Sequence, residues 1–545
     1  YSFRGLWDEA GYIAYRLKNE WKVKKGDRVV LCYTPGRYFF AAFLGCLRAG
    51  VVAALVYPPN PSNLEKDLKK LQRVVENCTP VLFLVDSLVS KLRMLGRVNF
   101  MSSTRRLWPS LPFRRTDDGF KWPCLHGTCT HTARSLPPIR IFDEPSLEES
   151  DLAFLQYTSG STGDPKGVMV SYANLCHNVE YIIASHAGGD TGTVGFSWLP
   201  QYHDLGLIYC AVAPFCGGYT QHFMSPITFI KRPLLWLELM GREGCTWTAA
   251  PDFGYRLCVR KYMEAAEPKP RWDLSPIRQL HSAAEPIRTT TVSGFESCFR
   301  SMGLPEDWFV GCYGLAESVV GVAWVHGLYF SKSNPELICT GIPKNLAPSN
   351  IDLRVVDPET MEEKADGETG EIWLSSGSVT GGYYGKPEAS EAAYGQRIKG
   401  SDSDKSYLRT GDLAYWEEGR LFICGRQKDL IICRGRNVYP QDIEFAVQDA
   451  SPAVRPGCIA AFSSDETGGD GELEVELVVF EIRASHEPSV SAVMADIHAA
   501  VLRDSGLSLR RIAAVKERSI PKTTSGKIRR RATRSALHED ELKVV

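Results

Sequence analysis

Residues 157–167 read YTSGSTGDPKG and form a candidate phosphate-binding loop. Glycine lets a backbone turn tightly, and Ser and Thr hydroxyls join the backbone N–H groups as donors to phosphate oxygens. Lys166 adds a positive charge that can reach the same phosphates. The run lies between two apolar segments, 152–155 and 168–170, which argues against a Gly/Ser linker. It lacks the Gly-Lys-Ser/Thr ending of the nucleotide triphosphatase P-loop. The sequence therefore predicts a phosphate loop of another type.

Four further segments follow this loop in an order that resembles the adenylate-forming superfamily, which includes acyl-CoA synthetases, luciferases and the adenylation domains of peptide synthetases. They are GCYGLAES at 311–318, YLRTGDL at 407–413, GRQKD at 425–429 and PKTTSGKI at 521–528. The resemblance covers nearly the whole chain. It implies that ATP and Mg²⁺ are the cofactors, and that a carboxylate is joined to AMP with release of pyrophosphate.

The resemblance also implies which residues contact the nucleotide. Tyr313 would stack on adenine, Gly314 would allow close approach, and Asp412 would accept hydrogen bonds from the ribose hydroxyls. Glu317 and Thr162 would hold the Mg²⁺ that bridges the phosphates. The full expected set for nucleotide and metal is Thr158, Ser159, Gly160, Ser161, Thr162, Gly163, Tyr313, Gly314, Glu317, Asp412 and Arg426.

Three residues are expected to act on the reacting groups: Lys527, Lys166 and His203. The resemblance places Lys527 on a mobile loop, against the α-phosphate and the attacking carboxylate, where it would stabilise growing negative charge. No general base is needed, because a carboxylic acid is already ionised at neutral pH. Without the resemblance, Lys527 and the basic run 529–531 would be interpreted as a solvated face. We expect that run to help dock an acidic carrier protein.

The segment WLPQYHDLGLI at 198–208 resembles the part of this superfamily that lines the acyl pocket, with His203 near the carboxylate. No charged residue that could pair with an ammonium group stands out near the pocket segments. Burial of an acyl chain yields about 0.8 kcal/mol per methylene, so an apolar tunnel favours a medium- or long-chain fatty acid. The candidate substrate-binding residues are His203, Leu207, Ile208, Phe253 and Ala284, with Leu257 as a further apolar candidate.

Within the superfamily the chain most resembles the fatty acyl-AMP ligases, which pass the acyl group to an acyl carrier protein. RGRNVYPQDIE at 434–444 is the main sign, because acyl-CoA synthetases usually carry Glu in place of the Gln441-Asp442 pair; AEPI at 284–287 is another. One feature departs from that branch. Its members carry a long insertion after the magnesium motif, whereas only residues 318–340 separate Glu317 from Gly341 here. Exclusion of coenzyme A is therefore an open question.

Two alternatives stay open on the sequence. The first is a fatty acyl-CoA synthetase, which shares the adenylation step and uses coenzyme A as the acceptor. The second is a catalytically silent acyl-binding domain of a larger scaffold protein. Such a domain would be marked by loss of Lys527, Glu317 or Asp412, and all three are present.

The elements that must position these residues alternate as in an α/β protein. Apolar strands at 29–33, 51–57 and 81–85 are separated by helical segments at 38–48 and 64–75, which predicts layered parallel sheets. A β-rich part is expected near 351–384. We expect a large N-terminal adenylation core over 1–424, a hinge at 425–428 and a small mobile α+β domain over 427–545.

The stretch 97–140 breaks this alternation and shows no sustained periodicity. It contains Cys124, His126, Cys129 and His131, but their spacing is not that of a standard zinc site. We interpret it as a surface loop or a mis-joined coding segment.

Composition excludes several classes of protein. The formal net charge of -1 gives no basic field for nucleic acid, and no apolar run approaches the roughly 20 residues of a transmembrane helix. The 16 cysteines are scattered singly, which is typical of reduced thiols in a cytoplasmic protein. The sequence opens at Tyr1 inside an amphipathic helix pattern, so we expect residues upstream.

Overall fold

The computed structural model describes residues 2–98, 106–117, 143–158, 165–185, 192–342, 351–401, 403–433, 436–463, 475–505, 507, 509, 511–523 and 527–545. Its architecture is mixed α/β, with two large, mainly parallel sheets, an antiparallel sheet and a smaller C-terminal α+β part. The predicted fold class is confirmed.

The first sheet has six strands in the order β4-β3-β1-β2-β5-β6, all parallel except the β5–β6 pair. The strands are β1 Arg28–Cys32, β2 Val52–Val56, β3 Leu82–Val85, β4 Phe113–Arg115, β5 Leu152–Thr158 and β6 Lys166–Ser171. The helices are α1 Phe3–Tyr15, α2 Arg37–Arg48, α3 Leu64–Cys78, α4 Ser87–Val98 and α5 Tyr172–Ser185. Strands β2 and β3 are buried throughout, which explains why they are continuous apolar runs.

Strand β4 corrects the expectation of an irregular segment over 97–140. Residues Phe113–Arg115 pair in parallel with β3, and the Phe113 ring stacks on Phe83 with centroids 4.3 Å apart. Three residues are too few to display a period of two, so only the packing of Phe113 could identify this strand. The Cys124, His126, Cys129 and His131 cluster lies outside the described residues.

The second sheet has the order β12-β11-β10-β9-β7-β8, and only β12 is antiparallel. Its strands are β7 Val194–Ser197, β8 Thr220–Phe223, β9 Trp247–Ala250, β10 Gln279–Ser282, β11 Phe309–Gly314 and β12 Gly321–His326. A π-helix, Leu205–Val212, precedes α6 Ala213–Cys216, α7 Pro226–Lys231, α8 Leu234–Arg242, α9 Asp252–Met263 and α10 Thr289–Phe299. One continuous apolar core joins both sheets.

The antiparallel sheet follows in chain order as β13 Asp352–Val356, β14 Gly370–Ser375, β15 Leu408–Glu417 and β16 Arg420–Arg426, with α11 Pro387–Ala393 between β14 and β15. The predicted β-rich region at 351–384 covers its first two strands. The two longer strands lie beyond it and were not predicted. Their sequence carries the motifs at 407–413 and 425–429, which were interpreted only as site residues.

The C-terminal part forms apolar clusters from its own residues. Its strands are β17 Ile431–Cys433, β18 Arg436–Val438, β19 Val454–Ser463, β20 Val475–Ile482 and β21 Arg511–Val515. Its helices are α12 Pro440–Ala450, α13 Val490–Ser505 and α14 Arg530–His538. In the described ranges the cysteines are free thiols, most of them buried. None of the helices in those ranges is long and apolar enough to cross a membrane.

Candidate active site

The two ends of the predicted phosphate loop are held by a strand pair. Thr158 and Lys166 lie opposite each other in the antiparallel register of β5 and β6. The loop residues Ser159, Gly160, Ser161, Thr162 and Gly163 lie outside the described residues. The register nevertheless fixes where the loop leaves and rejoins the sheet, and it sets Lys166 at the rejoining end.

Lys166 and Glu317 meet at one aromatic side chain, Tyr383. The Lys166 ammonium lies 4.5 Å from the centroid of the Tyr383 ring. The Tyr383 hydroxyl donates a hydrogen bond of 2.8 Å to the Glu317 carboxylate. The Glu317 backbone carbonyl also accepts a 3.0 Å bond from the N–H of Thr380. The predicted phosphate lysine and the predicted metal ligand are therefore neighbours, although more than a hundred residues separate them.

Asp412 forms the centre of a second group. Its carboxylate accepts a 2.9 Å hydrogen bond from the Tyr313 hydroxyl and lies 2.8 Å from the Arg426 guanidinium. Asp412 and Arg426 are register partners across β15 and β16. Asp412 is buried, so the pair is weakly screened, and its negative charge raises the pKa of Arg426. Burial, followed by the charge of Asp412, raises the pKa of Tyr313.

Local backbone geometry places Asp412 at this point. Gly411 has a φ of +72°, a conformation that suits glycine, and its N–H donates a 2.9 Å bond to the Glu371 carboxylate. Glu371 is buried on β14 and also binds Arg409 at 2.8 Å. The Asp412 N–H donates to the Thr410 hydroxyl at 3.1 Å. These hydrogen bonds hold the TGD segment against the neighbouring strand β14.

Gly314 has a role within the fold. A Cβ at this position would lie 1.7 Å from the carbonyl oxygen of Val320. Glycine is therefore required here because the protein's own backbone, at Val320, packs against residue 314. Tyr313 is largely buried and its hydroxyl is engaged with Asp412. Their predicted contacts with adenine stay predictions.

Lys527 reaches the same region from the C-terminal part. Two hydrogen bonds join it to Thr523: the Thr523 N–H donates to the Lys527 carbonyl at 2.7 Å, and the Lys527 N–H donates to the Thr523 hydroxyl at 3.0 Å. Burial and then repulsion by Arg426 lower the pKa of Lys527, while attraction to Glu285, Asp204 and Asp412 opposes that shift. The lysine therefore lies within electrostatic reach of both predicted halves of the site.

His203 is paired with its neighbour. Its Nδ1 lies 2.5 Å from the Asp204 carboxylate, which also accepts the N–H of Leu205 at 2.7 Å. Burial would raise the pKa of Asp204, but attraction to His203 and these hydrogen bonds outweigh it, so that pKa is lowered. Asp204 caps the π-helix and orients the imidazole, which makes it a positioning residue.

The predicted acyl residues divide into two groups. Leu207 and Ile208 are fully buried in the π-helix and contribute to the common core. Phe253 and Ala284 are half-buried and flank Glu285, whose carboxylate accepts the Phe253 N–H at 2.6 Å. Ala284 has a φ of +72°, which is unusual for alanine and turns the chain at the end of β10. The acyl-binding roles of both groups stay predictions.

Three contributing residues were missed by sequence reasoning. Glu285 lies inside the AEPI segment that was quoted without a role, and Asp204 lies inside the HDLG segment. Tyr383 lies in GGYYGKPE, where nothing but tertiary contact distinguishes it from a turn residue. For Glu285 and Asp204, the available signal was a carboxylate directly after a predicted site residue, Ala284 and His203 respectively.

The basic run at 529–531 is only partly available for docking. The Arg530 guanidinium binds the Glu444 carboxylate at 2.6 and 2.7 Å and lies 3.2 Å from that of Asp429. It therefore joins α14 to α12 and to the segment after β16. Arg531 is exposed, so the expected docking role falls on it and on Arg529.

Comparisons with known proteins agree with this arrangement. The AMP-binding enzyme family matches residues 1–384. A medium-chain-fatty-acid–[acyl-carrier-protein] ligase of Moorena producens is 33% identical over 99% of this chain and 90% of its own length. A long-chain-fatty-acid–AMP ligase of Mycolicibacterium smegmatis is 31% identical over 97% of this chain and 88% of its own length.

Solved structures give the same result. The fatty acid AMP ligase from Legionella pneumophila superposes with a TM-score of 0.68 at 33% identity, covering 99% of this chain and 91% of its own. A fatty acyl-adenylate ligase from the same organism, in complex with acyl adenylate and pyrophosphate, gives a TM-score of 0.69 at 32% identity, covering 100% and 92%. The adenylate-forming resemblance predicted from the motifs is confirmed, and the chain belongs to the AMP-binding enzyme family.

Proposed function

We propose that this protein activates a medium- or long-chain fatty acid with ATP, forming acyl-AMP and pyrophosphate, and passes the acyl group to an acyl carrier protein. The observations that support the proposal are the pairing of Asp412 with Arg426 at 2.8 Å and with Tyr313 at 2.9 Å, and the meeting of Lys166 and Glu317 at Tyr383. The charges of Arg426, Glu285, Asp204 and Asp412 act on Lys527. These are the groups that must meet if a carboxylate is to attack a nucleotide phosphate.

The reaction needs positioning and positive charge. A carboxylate oxygen bonds to the α-phosphorus while the bond from that phosphorus to the pyrophosphate oxygen breaks, and pyrophosphate leaves with its electrons. Both reactants are anions, so Lys527, Lys166 and Arg426 would lower the barrier by stabilising charge between them. His203, oriented by Asp204, would hold the fatty carboxylate near Lys527. Asp412 would accept hydrogen bonds from the ribose hydroxyls.

Mg²⁺ fits the residues present. Among the described residues, Tyr383 donates to one oxygen of the Glu317 carboxylate, and the other oxygen would serve as a hard oxygen ligand. Mg²⁺ commonly binds through one or two carboxylates plus substrate phosphates and water. Glu317, with the Thr162 hydroxyl of the phosphate loop, would hold the ion, and the ion would neutralise phosphate charge.

We further propose the domain division 1–424 and 427–545, with a hinge at 425–428. The separate apolar clusters of the C-terminal part support it. Arg288 is one of the side chains that join the two parts: its guanidinium faces the Phe445 ring, donates to the Gln441 carbonyl at 3.3 Å and lies 3.8 Å from the Asp442 carboxylate. The Gln-Asp pair of the ligase branch would thus belong to the contact between the two parts.

A fatty acyl-CoA synthetase is the second candidate, favoured by the short segment 318–340. After β12 this segment folds back on itself, with Phe330 bridging Ile338, and the Ser331 hydroxyl lies 2.7 Å from that of Tyr415. A compact segment of this kind would hinder coenzyme A less than a long insertion. Two relatives are named acyl-carrier-protein ligases, which favours the carrier protein, and others are named putative fatty-acid–CoA ligases, which favours the synthetase. The cytoplasmic location stays a prediction.

An assay with ATP, Mg²⁺ and dodecanoic acid, with coenzyme A or a phosphopantetheinylated acyl carrier protein added, tests the proposal. We expect acyl-AMP that persists with coenzyme A and is consumed by the carrier protein. Conversion to acyl-CoA would establish the synthetase instead. Absence of adenylate with several chain lengths, under conditions where ATP binds, would support a silent domain.

A further inference from the structure

A polar cavity of about 340 Å³ lies in the C-terminal part, between the segment that follows β16, the end of β19 and the start of α14. Water takes roughly 30 Å³ per molecule in the liquid, so a cavity of this size has room for a small anion or for the charged end of a larger molecule. Four of the five charged residues that line it in the described ranges are basic: Lys428, Asp429, Arg530, Arg531 and Arg534.

One arginine takes up the acidic groups at this cavity. The Arg530 guanidinium binds the Glu444 carboxylate at 2.6 and 2.7 Å and lies 3.2 Å from that of Asp429. Lys428 and Arg531, in contrast, form no ion pair with any residue that the structure describes. The described lining therefore has an excess of positive charge after Arg530 has been balanced.

The basic side chains are held close together. The Arg531 guanidinium lies 3.5 Å from the Lys428 carbonyl oxygen, and the Arg534 guanidinium donates to the Ser463 carbonyl at 3.4 Å. Arg531 and Arg534 are three residues apart on α14 and share one face of the helix. Burial and then repulsion by Arg426 lower the pKa of Lys428, and Arg531 adds to the repulsion. An anion between these groups would relieve that repulsion.

We propose that this cavity binds a phosphate group through the Arg531 and Arg534 guanidinium groups and the Lys428 ammonium. Arginine presents a planar set of N–H donors that matches phosphate oxygens, and lysine adds a compact positive charge. Helix α14 begins at Arg530 without a side-chain cap, so the N–H groups of its first turn add partial positive charge at the same end. A phosphate group bound here would join the turn Gln427–Asp429 to α14.

Two molecules of the proposed reaction carry such a group. Pyrophosphate is the leaving group of adenylation, and a phosphate ester is part of the phosphopantetheine arm of a carrier protein. The apolar residues Leu430 and Phe462 also line the cavity and would contact the organic part of an ester. The choice between these two sources rests on the proposed function, whereas the binding of a phosphate group does not.

Calorimetric titration without ATP or fatty acid tests the inference. The probes are pyrophosphate, 4′-phosphopantetheine, and pantetheine as the matched compound without phosphate. We expect Arg531→Gln and Arg534→Gln each to weaken the binding of a phosphate probe about tenfold, because each removes charge-assisted hydrogen bonds, and to leave any binding of pantetheine unchanged. Pyrophosphate binding at the candidate phosphate loop is common to wild type and variants, so it does not contribute to the difference.

Arg503→Gln is the control variant. It removes the same charge from an exposed residue of α13 that pairs with Asp504 at 2.7 Å and is not among the residues that line the cavity. Arg531 is exposed, so its substitution should not disturb folding, and thermal unfolding checks every variant.

The outcomes separate the two sources. A loss confined to pyrophosphate would assign the cavity to the leaving group, and a loss confined to 4′-phosphopantetheine would assign it to the acceptor's arm. Unchanged affinities for both phosphate probes in folded Arg531→Gln and Arg534→Gln, or an equal loss in Arg503→Gln, would overturn the inference and leave the proposed function intact. Phosphate binding as expected, in a protein that forms no adenylate, would overturn the proposed function alone.

Discussion

The two sides of the candidate site are built in different ways. On the side of Asp412, the contacts come from strand register and buried hydrogen bonds. Asp412 pairs with Arg426 across two strands of the antiparallel sheet. Tyr313, on the neighbouring sheet, donates to Asp412, and Gly411 donates to Glu371 of the antiparallel sheet. On the side of Lys527, one side chain of the C-terminal part is held through hydrogen bonds to Thr523, and the proposed hinge would carry it toward or away from the Asp412 side.

This difference teaches that nucleotide binding and chemistry can be separated. Under the proposed domain division, the Asp412 group would stay assembled when the C-terminal part moves. Lys527 would depend on contacts such as that of Arg288 with α12, and its charge would be withdrawn when they break. Three substitutions test this separation, and a fourth tests the stability of the fold.

Loss of Lys527 should have the largest effect. We expect Lys527→Ala to slow adenylate formation by about 10²–10³-fold, the usual effect of removing a group that stabilises transition-state charge, with ATP affinity nearly unchanged. Pyrophosphate exchange and nucleotide calorimetry measure the two quantities. Lys522→Ala is the matched control, because it removes a lysine from the same loop whose ammonium binds the Cys458 sulfur at 3.1 Å. Equal adenylation rates in wild type and Lys527→Ala would remove the assigned role.

Asp412→Asn should affect binding. It leaves Arg426 without its ion pair and weakens the ribose contact, so we expect ATP affinity to fall about 10–100-fold, in line with breaking a buried charged hydrogen bond. Tyr313→Phe removes one hydrogen bond from the same carboxylate and should change affinity by less than tenfold. Calorimetric titration of ATP compares the two. A larger loss in Tyr313→Phe would reverse the order of importance proposed for this group.

Arg288→Ala should separate docking from binding. Without the guanidinium, Asp442 and the Gln441 carbonyl lose their partner, and the docked population should shrink. We expect adenylate formation to fall about three- to tenfold with ATP affinity unchanged. Phe445→Leu keeps the apolar contact and loses only the cation–π contact, so its effect should be smaller. Parallel losses of ATP affinity and rate in Arg288→Ala would indicate that Arg288 supports the large part instead.

Asp252→Asn should act on stability and not on the reaction. Burial raises the pKa of Asp252 to about 6. At a pH between the usual aspartate pKa of about 4 and about 6, the folded state therefore holds a proton on Asp252 that the unfolded state lacks. Stability of the wild type should therefore fall by about 2–3 kcal/mol relative to Asp252→Asn as pH rises from about 4 to about 6. Urea unfolding across this range measures it.

Asp357→Asn is the control for that window. Hydrogen bonding with Lys364 and backbone N–H groups lowers the pKa of Asp357 to about 2, so its contribution is already complete at the usual aspartate pKa and is lost only at more acidic pH. Its substitution should leave the slope between pH 4 and 6 unchanged. A wild-type slope equal to that of Asp252→Asn would contradict the buried, protonated state of Asp252.

Several features were determined by the sequence alone. The apolar strands near β1, β2 and β3 and the helices between them were predicted to within a few residues, because buried parallel strands are continuous apolar runs. The family was also fixed by local motifs, because a phosphate loop or a TGD turn depends on residue types within a short segment. For the same reason Thr158, Lys166 and Asp412 could be predicted as site residues before any contact was known.

Only the tertiary structure decided which distant residues meet. Tyr383 joins Lys166 to Glu317, Glu285 lies within charge range of Lys527, and Arg530 turns inward to Glu444 instead of facing a partner. Such contacts follow from sheet order and from the docking of the C-terminal part, which no local pattern encodes.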